Sequence, residues 1–140
     1  MARFVLAPRF LLLLVLFSAA CSGNSLQPGQ TPLDQPFDLR AGSSAVVQGG
    51  LRVAFERVPA DSRCPLDALC LRGGDATIAI TVSQEGRNAA ARELRTDPVT
   101  ASITSYDGYS IKLVALAPYP RSDRPILPED YVATLRVAAR

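Results

Sequence analysis

The sequence predicts an all-β fold: a single antiparallel β-sandwich of immunoglobulin-like architecture, with seven or eight short strands across residues 37–140. Three observations predict it. Four segments alternate apolar and polar residues with period two, which marks half-buried strands. Gly, Pro, Asn and Asp clusters break the chain at short intervals. No segment sustains a 3.6-residue period over helical length. A small barrel fits the same pattern and stays open as the alternative.

Residues 1–20 read as a signal peptide that the mature chain loses. Arg3 and Arg9 form its positive head, residues 10–17 (FLLLLVLF) its apolar run, and Ser18-Ala19-Ala20 the small stretch before cleavage. That run falls well short of the ~20 residues that cross a bilayer. Residues 21–36 form the expected tether. Beyond Cys21 the segment is rich in Ser, Gly, Gln and Pro and holds one charge, Asp34. It offers too little apolar surface to order itself. Fully extended it reaches roughly 50 Å.

Strands are expected at 37–40, 44–47, 51–58, 76–82, 92–96, 102–106, 109–116 and 131–137. Leu51, Val53 and Phe55 share one face of theirs, as do Ala76, Ile78, Ile80 and Val82. Tyr109, Ile111, Leu113 and Ala115 form a third set, and Tyr131, Ala133, Leu135 and Val137 a fourth. The two tyrosines read as core residues whose hydroxyls find partners. Gln48-Gly49-Gly50, Glu85-Gly86-Arg87-Asn88 and Asp107-Gly108 read as turns. Asp-Gly suits a two-residue hairpin because both positions need positive φ. Residues 89–94 (AAAREL) fit a short helix or a strand.

Two irregular segments remain. The first, residues 61–74 (DSRCPLDALCLRGG), links two confident strands and so crosses an end of the sandwich. A secreted chain meets an oxidising compartment. Cys64 and Cys70, six positions apart on this loop, are the expected disulfide pair, with Cys21 left for another role. Closing so short a ring stabilises by roughly 2–2.5 kcal/mol in the chain-entropy account. Pro65 suits the first position of one helical turn. Zinc needs two more Cys or His ligands, and the chain has none to give. Calcium needs only oxygen, and Asp61, Asp67 and Asp75 keep that alternative open. The second segment, residues 117–130 (APYPRSDRPILPED), carries four prolines and cannot be a central strand. Its stiffness, Tyr119 and mixed charges suit a docking surface. The candidate binding residues are Asp61, Arg63, Asp67 and Arg72 on the first loop and Tyr119, Arg121, Asp123 and Arg124 on the second.

Composition narrows the chemistry. The 140 residues contain no histidine and no tryptophan. That removes Ser-His-Asp and Cys-His catalysis and imidazole proton shuttles. Carboxylate pairs, Asp61 or Asp75 with Glu129 or Asp130, are the remaining acid–base equipment. The six aromatics of the mature chain are few for a sugar-binding cleft. The formal net charge of +2 comes from Arg3 and Arg9 alone; without them 13 basic residues meet 13 acidic ones. A neutral chain gives no electrostatic case for nucleic acid.

Ser18-Ala19-Ala20-Cys21 resembles the lipobox of bacterial lipoproteins, with Ser18 where that motif usually has Leu, Val or Ile. The resemblance implies acylation of Cys21, cleavage just before it, and attachment to the membrane of a bacterial cell envelope. Ser22 resembles an outer-membrane sorting signal, so the periplasmic face of the outer membrane is expected in a Gram-negative source. From about Phe37 to Val137 the chain is also similar to a family of bacterial secreted and lipid-anchored proteins with no assigned activity. That resemblance rests on Phe55-Glu56-Arg57-Val58, Asp61-Ser62-Arg63-Cys64-Pro65 with a second cysteine six residues on, Tyr109-Ser110-Ile111-Lys112-Leu113, Ala117-Pro118-Tyr119-Pro120 and the closing strand. Arg72 stands where the family often has an aromatic. The functional expectation is a non-catalytic binding or interaction module without cofactor or metal, for an envelope protein or small ligand. A structural envelope lipoprotein and a small inhibitor of a secreted enzyme are the alternatives.

Overall fold

The computed structural model describes residues 29–97, 99 and 102–140; residues 1–28, with the expected signal peptide and Cys21, lie outside the described residues. Nine strands follow in order: β1 (Gln30–Thr31), β2 (Pro36–Arg40), β3 (Ser43–Val47), β4 (Leu51–Asp61), β5 (Ala76–Ser83), β6 (Ala90–Arg95), β7 (Ile103–Tyr106), β8 (Tyr109–Ala117) and β9 (Val132–Ala139). They form two sheets. The first has the order β1-β3-β4-β5-β6 and the second β2-β9-β8-β7. Every pairing is antiparallel except β1 with β3. The chain is thus an all-β sandwich, with a four-strand meander in one sheet and a three-strand meander in the other.

Period two builds the core. Val47, Leu51, Val53, Phe55, Ile78, Ile80, Val82 and Leu94 of the first sheet are sealed from solvent. Leu39, Ile111, Leu113, Leu116, Ala133, Leu135 and Val137 of the second sheet face them. Burying side chains of this size stabilises by about 1.5–3 kcal/mol each. Of residues 89–94, all but Ala89 resolve as strand: β6 pairs with β5, with Leu94 opposite Ile78 and inside the core. The core position of Leu94 outweighs the helix propensity of the preceding alanines.

Two expectations change. The sequence predicts a tether over 21–36, but residues 29–36 belong to the domain. Gln30 and Thr31 pair with Val46 and Val47, the Asp34 amide donates to the Val137 carbonyl at 2.8 Å, and Leu33 packs on the core. In β8 the alternation breaks. Leu113 lies opposite Leu135 but Ala115 lies opposite Thr134, so one residue is inserted at Val114. This bulge flips the inward phase. Leu116 is buried where Ala115 was expected, and Val114 is turned out.

The strands place the connections at two ends. The turns at 48–50, 84–89 and 107–108 gather at one end. The connections at 62–75 and 118–131 gather at the other, with the end of β6 and the start of β7. Asp107 and Gly108 both have positive φ, 41° and 80°, as the Asp-Gly pair requires.

Candidate functional site

The loop end begins with β4. Its pairing with β5 slips by one residue between Phe55 and Arg57 and again between Arg57 and Ala60. Pro59, which has no N–H to donate, lies in the second slip. Two slips restore the inward phase, so Asp61 lies opposite the buried Ala76 and faces the interior. There the Tyr131 hydroxyl donates to Asp61 Oδ2 at 3.0 Å. Tyr131 is thus the core tyrosine with a satisfied hydroxyl that its position suggested.

Arg63 is the keystone. It was expected on the binding surface, yet it is 6% exposed. Its guanidinium grips Asp61 as a fork, Nε to Oδ1 at 2.9 Å and Nη2 to Oδ2 at 2.6 Å. Nη1 donates to the Leu116 carbonyl at 2.7 Å and Nη2 to the Pro118 carbonyl at 2.9 Å. Its plane lies under the Tyr119 ring, 4.9 Å from the centroid. One side chain therefore joins the cysteine loop to the end of β8 and the proline-rich loop. A lysine has no such planar fork. Burial alone would raise the Asp61 pKa; the Arg63 hydrogen bonds and charge outweigh it and hold the carboxyl below its ordinary value. The same burial, with the Asp61 hydrogen bond, pushes the Tyr131 hydroxyl up.

A second clasp lies farther out. The Leu66 amide donates to the Pro120 carbonyl at 3.0 Å. The Ser122 amide and hydroxyl donate to Asp67 at 2.8 and 2.7 Å, and these bonds lower the Asp67 pKa. Cys64 and Cys70 are joined as a disulfide with Cα atoms 6.0 Å apart. The helical turn expected at Pro65 is instead a tight turn without helix, closed by the Ala68 amide on the Pro65 carbonyl at 3.1 Å. Gly74 closes the loop because a Cβ there would run into the Ser62 carbonyl.

The other candidate residues separate. Arg121 pairs with Asp123 at 3.3 Å on the surface. Arg124 lines a small hollow of about 230 Å³ with Tyr119 and Ile126. Arg72 is exposed on the distal limb of the cysteine loop, and Tyr119 is about half exposed. The three aspartates weighed for calcium face different partners: Asp61 takes Arg63, Asp67 takes Ser122, and Asp75 takes Arg95 at 2.5 and 3.0 Å. Arg95 lowers the Asp75 pKa through those hydrogen bonds. Among the described residues no group of three or more acidic or cysteine side chains converges as a metal site would require.

Sequence reasoning missed the cleft beside the clamp. It has a volume of about 550 Å³ and runs between Gly73-Gly74-Asp75, the end of β6 at Arg95, and the bulged stretch Leu113–Leu116 of β8. Arg63 and Tyr119 form part of its lining. The β8 bulge turns Val114 toward this opening, 46% exposed. A bulge has no reliable signal in one sequence, so nothing in the alternation could have located the cleft.

Fold and site together define a small two-sheet β-sandwich with a stapled, clamped loop end. No family model, no curated protein and no solved structure matches the chain.

Proposed function

We propose that the protein is a lipid-anchored component of a bacterial cell envelope and a non-catalytic binding module, which takes a segment of another envelope protein or a small ligand at its loop end. One observation carries the reading: Arg63 and Asp67 fasten two long loops into one rigid body beside an open cleft of about 550 Å³. A surface ordered in advance loses little entropy on docking. The ionisable groups support binding over catalysis. The Asp61 and Asp75 carboxyls are held low by arginine partners, whereas a general acid needs a raised pKa. Lipid attachment rests on Cys21 behind its small-residue run.

A photo-crosslinking amino acid at Val114, in the cleft, tests the reading in native envelopes. The expected result is a discrete adduct from Val114 and none from the same group at Glu85, on the opposite end. Identical patterns from both positions contradict it. Cys21→Ser should abolish radiolabelled palmitate incorporation; retained label contradicts the anchor.

A further inference from the structure

The cysteine loop ends in a feature that the clamp does not need. Leu69 and Leu71 are fully exposed, at 105% and 106%, and Leu66 is 67% exposed. All three lie within or next to the disulfide ring, which is fastened at its base by Leu66–Pro120 and Asp67–Ser122 bonds. Leucines held in water on a stiff loop mark a contact surface. The lone charged residue within the ring, Asp67, is turned back onto Ser122, and Arg72 follows Leu71. An apolar tip bordered by arginine matches the boundary between acyl chains and headgroups.

We infer that Leu66, Leu69 and Leu71 rest in the lipid surface to which the chain is anchored, so that the domain stands on its cysteine loop. This inference rests on the lipid-anchored reading above. The course of the chain argues for lipid as the occupant. β1 runs parallel to β3, from the side of the loop end toward the hairpin end, so an approach from the hairpin end would require a reversal before Gln30. Eight residue-to-residue steps lead from Cys21 to Gly29, a reach of roughly 26–29 Å. From Val53, one residue past the Gln30–Val46–Arg52 row, to Asp61 at the loop end the sheet spans the six β5 steps from Val82 to Ala76, roughly 20 Å, because the two β4 bulges add residues without rise. The acylated residue thus reaches past Asp61, on the side of the cysteine loop, by no more than about 6–9 Å. The cleft is lined from β6, β8 and Gly73-Gly74 and by none of the three leucines, so the two surfaces are distinct.

The chain has no tryptophan, so one introduced indole reports alone. Leu69→Trp and Glu85→Trp are prepared in the full-length lipidated protein and reconstituted into phosphatidylethanolamine–phosphatidylglycerol vesicles with brominated acyl chains. The expected result is blue-shifted emission from Leu69→Trp, with quenching roughly threefold stronger than from Glu85→Trp. Equal quenching at the two sites overturns the inference. A blue shift in the vesicles without bromine quenching places the indole against protein and not lipid and also overturns it. Palmitate labelling of the same preparations separates the two readings. Labelled protein without differential quenching removes the leucine contact alone, and unlabelled protein removes the anchor and the contact with it.

Discussion

The two ends of the sandwich are built on opposite principles. At the hairpin end the chain turns in the fewest residues, and side chains close over the turns. Tyr109 lies over Gly49, the Tyr106 hydroxyl donates to the Asn88 carbonyl at 2.8 Å, and the Gln84 amide donates to the Gly49 carbonyl at 2.8 Å. None of the large exposed apolar side chains among the described residues lies in those turns. At the loop end the connections are long, bulges aim side chains, and a buried ion pair replaces turn chemistry. Leucines and a cleft are left open there. Backbone preference suffices to close an end. Holding long loops in a fixed, open form requires a polar keystone that reaches several carbonyls.

The largest way to break this contrast is Arg63→Ala. It leaves Asp61, whose side chain is 10% exposed, without its cation and strips two carbonyls of their donor. Removing one partner of a buried pair costs about 3–5 kcal/mol. The shift of the urea midpoint measures it. Acid probes the same pair. The folded Asp61 pKa lies below its ordinary 3.8, so the stabilisation is present above that value and is lost as pH falls below it. Asp61→Asn should lower stability at pH 7 and flatten its decline below about pH 4 in urea melts across pH. The slope should persist in part because Asp67 and Asp75 also titrate low.

Next in size is the staple. The Cys64→Ser, Cys70→Ser double variant should lose roughly 2–2.5 kcal/mol or less, with the increase in amide exchange confined to the loop end. At the hairpin end, Gly49→Ala sets a Cβ against the Tyr109 hydroxyl at φ +92°. It should cost about 1–2 kcal/mol from the backbone conformation alone, read by thermal melting. The smallest effect is expected from Arg87→Ala. Its pair with Asp107 at 3.1 Å is well exposed, and the change should fall within about 0.5 kcal/mol.

The hairpin end was legible in the sequence, and the loop end only in outline. Asp107-Gly108 and Gln48-Gly49-Gly50 announce turns through local backbone demands. The inner faces of β4, β5 and β9 follow from period two. The disulfide was legible in the pairing of Cys64 and Cys70 on one short loop. Arg63 was legible only as a charged loop residue, because its burial depends on carbonyls 53 and 55 residues away. Tyr131, which completes the cluster, is 70 residues from Asp61. β1 was hidden because Gln30 and Thr31 carry no apolar signal; their pairing depends on the open edge of β3. The Val114 bulge depends on register against β9, which a single strand does not encode.

The central claim is that one guanidinium makes the two long loops a single body. Arg63→Lys keeps the charge and removes the fork, and amide hydrogen exchange reads the outcome residue by residue. Exchange at the Leu66 and Ser122 amides should rise together, while Gly50 and Arg87, bonded within the hairpin turns, stay unchanged. A rise in one loop without the other, or an equal rise at both ends of the sandwich, would contradict the account.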